Sequence, residues 1–123
     1  MQIHTGIITI SDRASKGLYD DLGGPALKRA ALGYGWTVSA EALVPDEKTD
    51  IQRAIRQQIN QGCHLILTTG GTGVSPRDVT PEATMEVCGR MVPGISELMR
   101  LESLRITPMA SLSRAVAGIR GQT

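Results

Sequence analysis

Phenylalanine is absent from this 123-residue chain, and aromatic residues of any kind make up only 2% of it. Tyr19, Tyr34 and Trp36 are the whole supply of stacking faces, and they do not interleave with a basic run as a single-strand nucleic-acid platform requires. Charge of one sign is lacking too. With 13 Lys plus Arg against 12 Asp plus Glu, the formal charge is +1, and no broad positive face exists to neutralise a phosphate backbone, which argues against a nucleic-acid partner. No apolar run approaches the roughly 18 residues that span a bilayer. No Lys or Arg precedes the short apolar stretch at residues 7–10, so neither a membrane span nor a secretory leader is expected and the chain reads as cytoplasmic. The two cysteines, Cys63 and Cys88, fit no zinc spacing, and with His4 and His64 the only imidazoles a structural zinc site lacks ligands. They read as buried free thiols.

What is present has the proportions of one domain over residues 1–123, at 41% apolar and 20% charged residues. Residues 3–10 are apolar and β-branched at nearly every position, as in a strand covered on both faces. A polar loop at residues 11–17 follows, then a helix whose Leu27, Ala30, Ala31 and Tyr34 share a face and which stops near Gly33 and Gly35, with Tyr34 and Trp36 read as packing residues. Residues 37–44 form a second strand ending at Pro45-Asp46. Thr49-Asp50-Ile51-Gln52 has the form of a capping box opening a helix that aligns Ile51, Ala54, Ile55 and Ile59. Gln61-Gly62 closes that helix, and the third strand, residues 64–69, runs directly into Gly70-Gly71-Thr72-Gly73. Strands alternating with helices predict an α/β domain with a parallel sheet and helices on its faces. Further on, Thr80 reads as the cap of a short helix with Pro81 at its first position. Pro93-Gly94 opens another helix whose stripe of Ile95, Leu98, Met99, Leu101 and Leu104 reads first as core and second as a contact between copies. After Pro108, a short helix at residues 111–114 and an apolar segment at residues 116–119 complete the pattern.

In an open parallel sheet, ligands bind beyond the carboxyl ends of the strands. Asp12 follows the first strand, Asp46 the second, and Asp78 lies five residues past the glycine loop of the third. Carboxylates gathered beside a glycine-rich loop suit Mg²⁺ held between protein and phosphates. The plainer reading of Asp12 and Asp46 is as turn or capping residues. The glycine loop is not a P-loop, since no Gly-Lys-Ser/Thr exists, nor a dinucleotide fingerprint, since Pro76 stands where the third Gly belongs. With Arg77-Asp78-Val79-Thr80-Pro81-Glu82 it gains a guanidinium, a carboxylate and a helix start, and becomes a candidate anion site.

Ser11-Asp12-Arg13-Ala14-Ser15, Pro45-Asp46-Glu47, Thr68-Thr69-Gly70-Gly71-Thr72-Gly73 with Arg77 to Pro81, and Leu112-Ser113-Arg114 resemble, in order and over essentially the whole chain, the molybdopterin adenylyltransferase family of molybdenum cofactor biosynthesis. That family includes the related domains of gephyrin-like proteins. The resemblance implies a three-layer α/β/α sandwich with a mostly parallel sheet, and a homotrimer. It implies a nucleotidyltransferase that moves AMP from Mg·ATP to the terminal phosphate of molybdopterin, with Mg²⁺ as cofactor and a possible hand-over to a molybdate-inserting enzyme. The family's important aspartates fall on Asp46 and Asp78, as catalytic and metal-binding residues. Substrate binding falls on Ser11, Asp12, Thr68, Gly70, Gly71, Thr72, Gly73, Arg77, Thr80 and Ser113. Family members continue past the position of Thr123 with a further strand and an Asn-Leu-Pro-Gly type loop, so the resemblance also implies truncation at the C-terminus. A non-catalytic molybdopterin-binding module or a trimeric scaffold is the alternative reading.

Overall fold

β-Branched side chains at Thr5, Ile7, Ile8, Thr9 and Ile10 favour extended chain, and β1 (His4–Ile10) forms there with every residue from Thr5 to Ile10 buried. A computed structural model of the chain describes residues 1–18 and 20–123. Tyr19, a candidate stacking residue, lies outside them. β1 is the middle of a three-stranded parallel sheet in the order β2-β1-β3, flanked by β2 (Thr37–Val44) and β3 (Leu65–Thr69). The pairing brings Ile10 level with Val44, and Thr9 level with Thr69. All three carboxyl ends therefore emerge along one rim.

Alternation along β1 sends neighbouring side chains to opposite faces. Ile8 and Ile10 pack with Ile51, Ala54 and Ile55 of α3 (Lys48–Asn60) and with Ala83 and Val87 of α4 (Thr80–Val87). On the other face, the Thr9 hydroxyl donates to Asp21 Oδ2 at 2.9 Å, and Asp21 Oδ1 accepts from Gly24 N–H at 2.9 Å near the start of α2 (Gly23–Gly33). Helices thus cover both faces, giving the three-layer α/β/α arrangement. With no Phe available, the largest fully buried side chains are isoleucines.

Several expectations need correction. The polar loop after β1 contains a short helix, α1 (Asp12–Ser15), capped by the Ser11 hydroxyl, which accepts from Ala14 N–H at 3.2 Å. The Thr49–Gln52 capping box does not form: the cap lies two residues earlier, at Glu47, and α3 starts at Lys48. Gln52 is drawn instead into the contact with α4, donating to Glu86 at 2.6 Å and Ala83 O at 3.4 Å. Tyr34 does not pack in the core. It is 76% exposed and stacks on Trp36 with ring centroids 5.1 Å apart, at the end of the sheet away from the carboxyl rim. β3 is half-buried, as the described edge of the sheet. The Leu98 stripe is not core either: in α5 (Pro93–Ser103) only Ser96 is buried, because the helix lies in the connection between the two strands of a small antiparallel pair, β4 (Arg90–Met91) and β5 (Gly118–Ile119), off the main sheet. The short helix expected at residues 111–114 is a 3₁₀ helix that lies earlier, at Pro108–Leu112. Cys63 and Cys88 are free thiols, Cys63 buried and Cys88 partly so, and burial raises the pKa of both.

Ile8 is fully buried between the sheet and α3. Ile8→Ala is expected to destabilise the fold by about 2–5 kcal/mol, read as a lower urea midpoint at unchanged slope.

Candidate active site

Where β1 and β2 end, the parallel ladder stops and two aspartates take over. Asp12 N–H donates to Asp46 Oδ2 at 2.9 Å, and Asp46 N–H donates to Asp12 Oδ1 at 2.9 Å. Each residue is therefore a turn residue and a rim carboxylate at once. Arg77 arrives from the loop after β3 and grips Asp12 with both arms, Nε to Oδ2 and Nη2 to Oδ1, each at 3.0 Å. Its Nη1 reaches Glu47 Oε1 at 2.9 Å. The Arg77 guanidinium, with the Asp46 amide, holds the Asp12 carboxyl below the usual carboxylate range. Asp46 moves the other way. Burial raises its pKa, and the neighbouring charges of Asp12 and Asp78 add to that rise against the hydrogen bond from the Asp12 amide.

The glycine loop lies against this pair. Gly70 and Gly71 have φ of +99° and +68°, left-handed backbone that L side chains rarely adopt. A Cβ on Gly70 would strike the Ile10 carbonyl, and one on Gly71 would strike the Thr80 hydroxyl and stand 3.0 Å from Asp46 Oδ1. The Thr80 hydroxyl donates to Gly70 O at 2.9 Å and its amide to Gly71 O at 3.1 Å, so the start of α4 is stitched to the loop. Thr80 is thus the first residue of the helix and not its cap; Val79 holds that position. Asp78 closes a tight turn, with Ser75 N–H donating to its Oδ2 at 3.0 Å and its own amide donating to Ser75 O at 2.9 Å.

Asp12, Asp46, Gly71, Arg77, Asp78 and Thr80 are thus brought together on the rim. Beside them a cavity of about 420 Å³ opens along β3, lined in part by Thr68, Gly70, Thr72, Thr80 and Ser113. Gly70 and Thr80 border both. Ser113 joins through the end of the 3₁₀ helix, its hydroxyl accepting from Ala115 N–H at 3.3 Å. Ser11 sits at the rim as the cap of α1.

The Arg77 guanidinium is bonded to Asp12 and Glu47, and the Asp12 carboxylate is taken up by it. Among the described residues, no group of three or more His, Cys, Asp or Glu is placed to hold a metal ion. The remaining donor set is the pair Asp46 and Asp78. Their hard oxygens suit Mg²⁺, which is commonly bound by one or two carboxylates with substrate oxygens and water completing its shell. Glu47, Glu82 and Arg114 were not picked out from sequence as site residues. Glu47 adjoins Asp46, and Arg114 stands in the quoted Leu112-Ser113-Arg114 segment, but its role shows only through side-chain partners that lie 32 to 41 residues away.

A family model described as "Probable molybdopterin binding domain" matches residues 6–123. The chain belongs to this family. A molybdopterin adenylyltransferase from Helicobacter pylori is 44% identical over 124 residues, covering 98% of this chain and 70% of that protein. The one from Escherichia coli K12 is 45% identical, covering 98% of this chain and 63% of that protein. The molybdopterin biosynthesis enzyme MoaB from Thermus thermophilus superposes with a TM-score of 0.92 at 49% identity, covering 99% of this chain and 77% of that one. This molybdopterin-binding domain thus spans less than the full length of each of the three.

Because the folded state raises the Asp46 pKa, its protonated form is favoured by folding. The associated stability is present below the unfolded value and lost as pH rises through the folded one. Asp46→Asn keeps an acceptor for the Asp12 amide but cannot ionise. Its Tm is expected to exceed the parent's at pH 7, with the gap closing on acidification to about pH 3. Thermal melts across that range check it; a gap that does not change with pH would assign the effect to something other than the Asp46 charge.

Proposed function

We propose that this domain catalyses adenylyl transfer from ATP to the terminal phosphate of molybdopterin, giving adenylylated molybdopterin and pyrophosphate. The observation that carries the reading is the meeting of Asp46 and Asp78 beside the Gly70–Gly71 turn, on the rim where the strands end. The names of the 44% and 45% identical relatives support it. An oxygen of the molybdopterin phosphate attacks the α-phosphorus of ATP, one P–O bond forms and the bond to the β-phosphate breaks, with the electron pair leaving on pyrophosphate. The nucleophile is already an anion, so no side chain need supply one. The protein's task is alignment and charge neutralisation.

Asp46 and Asp78 hold Mg²⁺ in this reading, which when bound supplies neutralisation of the triphosphate. Backbone amides of residues 71–73 hold anionic oxygens, close to the strand ends because Gly70 and Gly71 let the chain turn there. Thr68, Thr72 and Ser113 face the pterin side through the β3 cavity. Arg77 is shared between Asp12 and Glu47 and offsets one of their two negative charges, which lowers the repulsion an anionic substrate meets at the rim.

A homotrimer belongs to the same proposal. The exposed Leu98, Met99 and Leu101 on α5, 59%, 56% and 63% accessible, form an apolar face that a second copy would cover. No helix of the described residues is long and apolar enough to cross a membrane. The reading places the reaction in the cytoplasm, followed by hand-over of the adenylylated product to a molybdate-inserting enzyme.

Mixing the chain with molybdopterin, ATP and Mg²⁺ is expected to give adenylylated molybdopterin, detected by mass spectrometry. Binding of molybdopterin without any AMP ester would favour the carrier or scaffold reading. Asp78→Asn should lower kcat about a hundredfold or more while the Kd for molybdopterin stays within about threefold; an equal loss in binding, with turnover of bound substrate intact, would remove Asp78 from the catalytic role.

A further inference from the structure

Arg114 makes more hydrogen bonds across the site than any residue predicted to act there, yet its guanidinium reaches neither Asp46 nor the Asp78 carboxylate. Its amide donates to Thr72 O at 2.7 Å. Its Nε donates to Gly73 O at 2.8 Å and its Nη2 to Asp78 O at 2.6 Å. Nη1 and Nη2 also meet the two oxygens of Glu82, each at 3.0 Å, in the first turn of α4. One side chain therefore holds the start of the loop, its end and the helix that follows. The residue is itself set in place by Arg100 of α5, whose Nη1 donates to Ser113 O at 3.3 Å and Ala115 O at 2.8 Å, on either side of Arg114.

We propose that Arg114 is a positioning residue. It fixes the loop from Thr72 to Asp78, and with it the direction of the Asp78 carboxylate, in the geometry that transfer needs. The inference rests on the adenylyl-transfer reading above. The grip is on the Asp78 carbonyl, so the carboxylate stays turned inward, where Ser75 N–H binds Oδ2 and a Cβ on Gly73 would stand 2.9 Å from it. Glu82 completes the fork, and the guanidinium in turn holds the Glu82 carboxyl below its ordinary range. With side chains 41% and 39% exposed, the Arg114–Glu82 ion pair adds little to global stability. What it restrains is a loop tied otherwise by Arg77 to Asp12 and Glu47, by Ser75 N–H to the Asp78 carboxylate and by a few backbone bonds. A lysine cannot substitute, because one ammonium cannot span Gly73 O, Asp78 O and both Glu82 oxygens.

Amide hydrogen exchange and steady-state kinetics on Arg114→Lys, Glu82→Gln and the double variant test this. In Arg114→Lys the Asp78 and Thr80 amides, bonded to Ser75 O and Gly71 O, are expected to exchange about tenfold faster or more, while those of Ile8 and Ile51 keep their rates. Its kcat should fall about tenfold to a hundredfold with the KM for ATP within about twofold. Glu82→Gln, which keeps an acceptor, should show the same pattern more weakly, and the double variant should be no worse than Arg114→Lys alone. Unchanged loop amides, equal acceleration throughout the sheet, or loop loosening with full kcat would each overturn the positioning role. A parent protein that makes no adenylylated product would instead fail the underlying reading, and the exchange data would still report whether Arg114 holds the loop.

Discussion

Two hydrogen bonds exchanged between Asp12 and Asp46 join β1 to β2 one residue beyond Ser11, whose amide makes the last backbone bond to Val44 O at 2.9 Å. Because each aspartate uses its amide and one carboxylate oxygen in this exchange, the direction of both side chains is set by the sheet itself. Asp46 Oδ1 is left against Gly71, and Asp12 Oδ2 is left for Arg77. The loop after β3 can close on this pair only because Gly70 passes against the Ile10 carbonyl and Gly71 against Asp46. Strand pairing, turn geometry and rim chemistry thus depend on the same few atoms.

Two neighbouring carboxyls respond to this placement in opposite senses. Arg77 stabilises the anion of Asp12, whereas burial and the surrounding negative charge disfavour the anion of Asp46. Ionising Asp46 is therefore harder than for a free aspartate and is eased by a cation that reaches it. The fold tolerates this because its stability is set elsewhere. Isoleucines of β1 and α3, interleaved with Ala54 and Ala83, form a buried apolar core that reaches the rim only at Ile10. Exposed ion pairs such as those of Arg77 contribute little to that stability, so they are available to arrange charge.

The strands and helices were largely readable from pattern. β2 begins and ends where its alternation does, β1 within one residue of its apolar run, and α3 buries Ile51, Ala54 and Ile55 as their spacing requires. The errors came where a local motif met a distant competitor. Thr49 and Gln52 have the right spacing for a cap, but Gln52 bonds Glu86, 34 residues on, and not its own helix start. Thr80 looked like a cap and serves the Gly70 carbonyl instead. The apolar stripe of α5 has the period of a core helix, and period alone cannot say whether anything in the same chain will cover it.

Residues within a few positions of one another thus carried the β-branched run of β1, the helical spacing of α3 and the glycines that turn the backbone after β3. Such preferences arise from torsional sterics and side-chain alternation, which act over a turn or a strand. The same short range placed Asp12 and Asp46 at the ends of their strands. That Arg77 would pair with Asp12 across 65 positions, that desolvation would dominate at Asp46 while the Arg77 bond dominates at Asp12, and that Arg114 would reach both ends of the glycine loop required the packed chain. Charge pairing and desolvation depend on distances through space, and those exist only once the strands have been laid side by side.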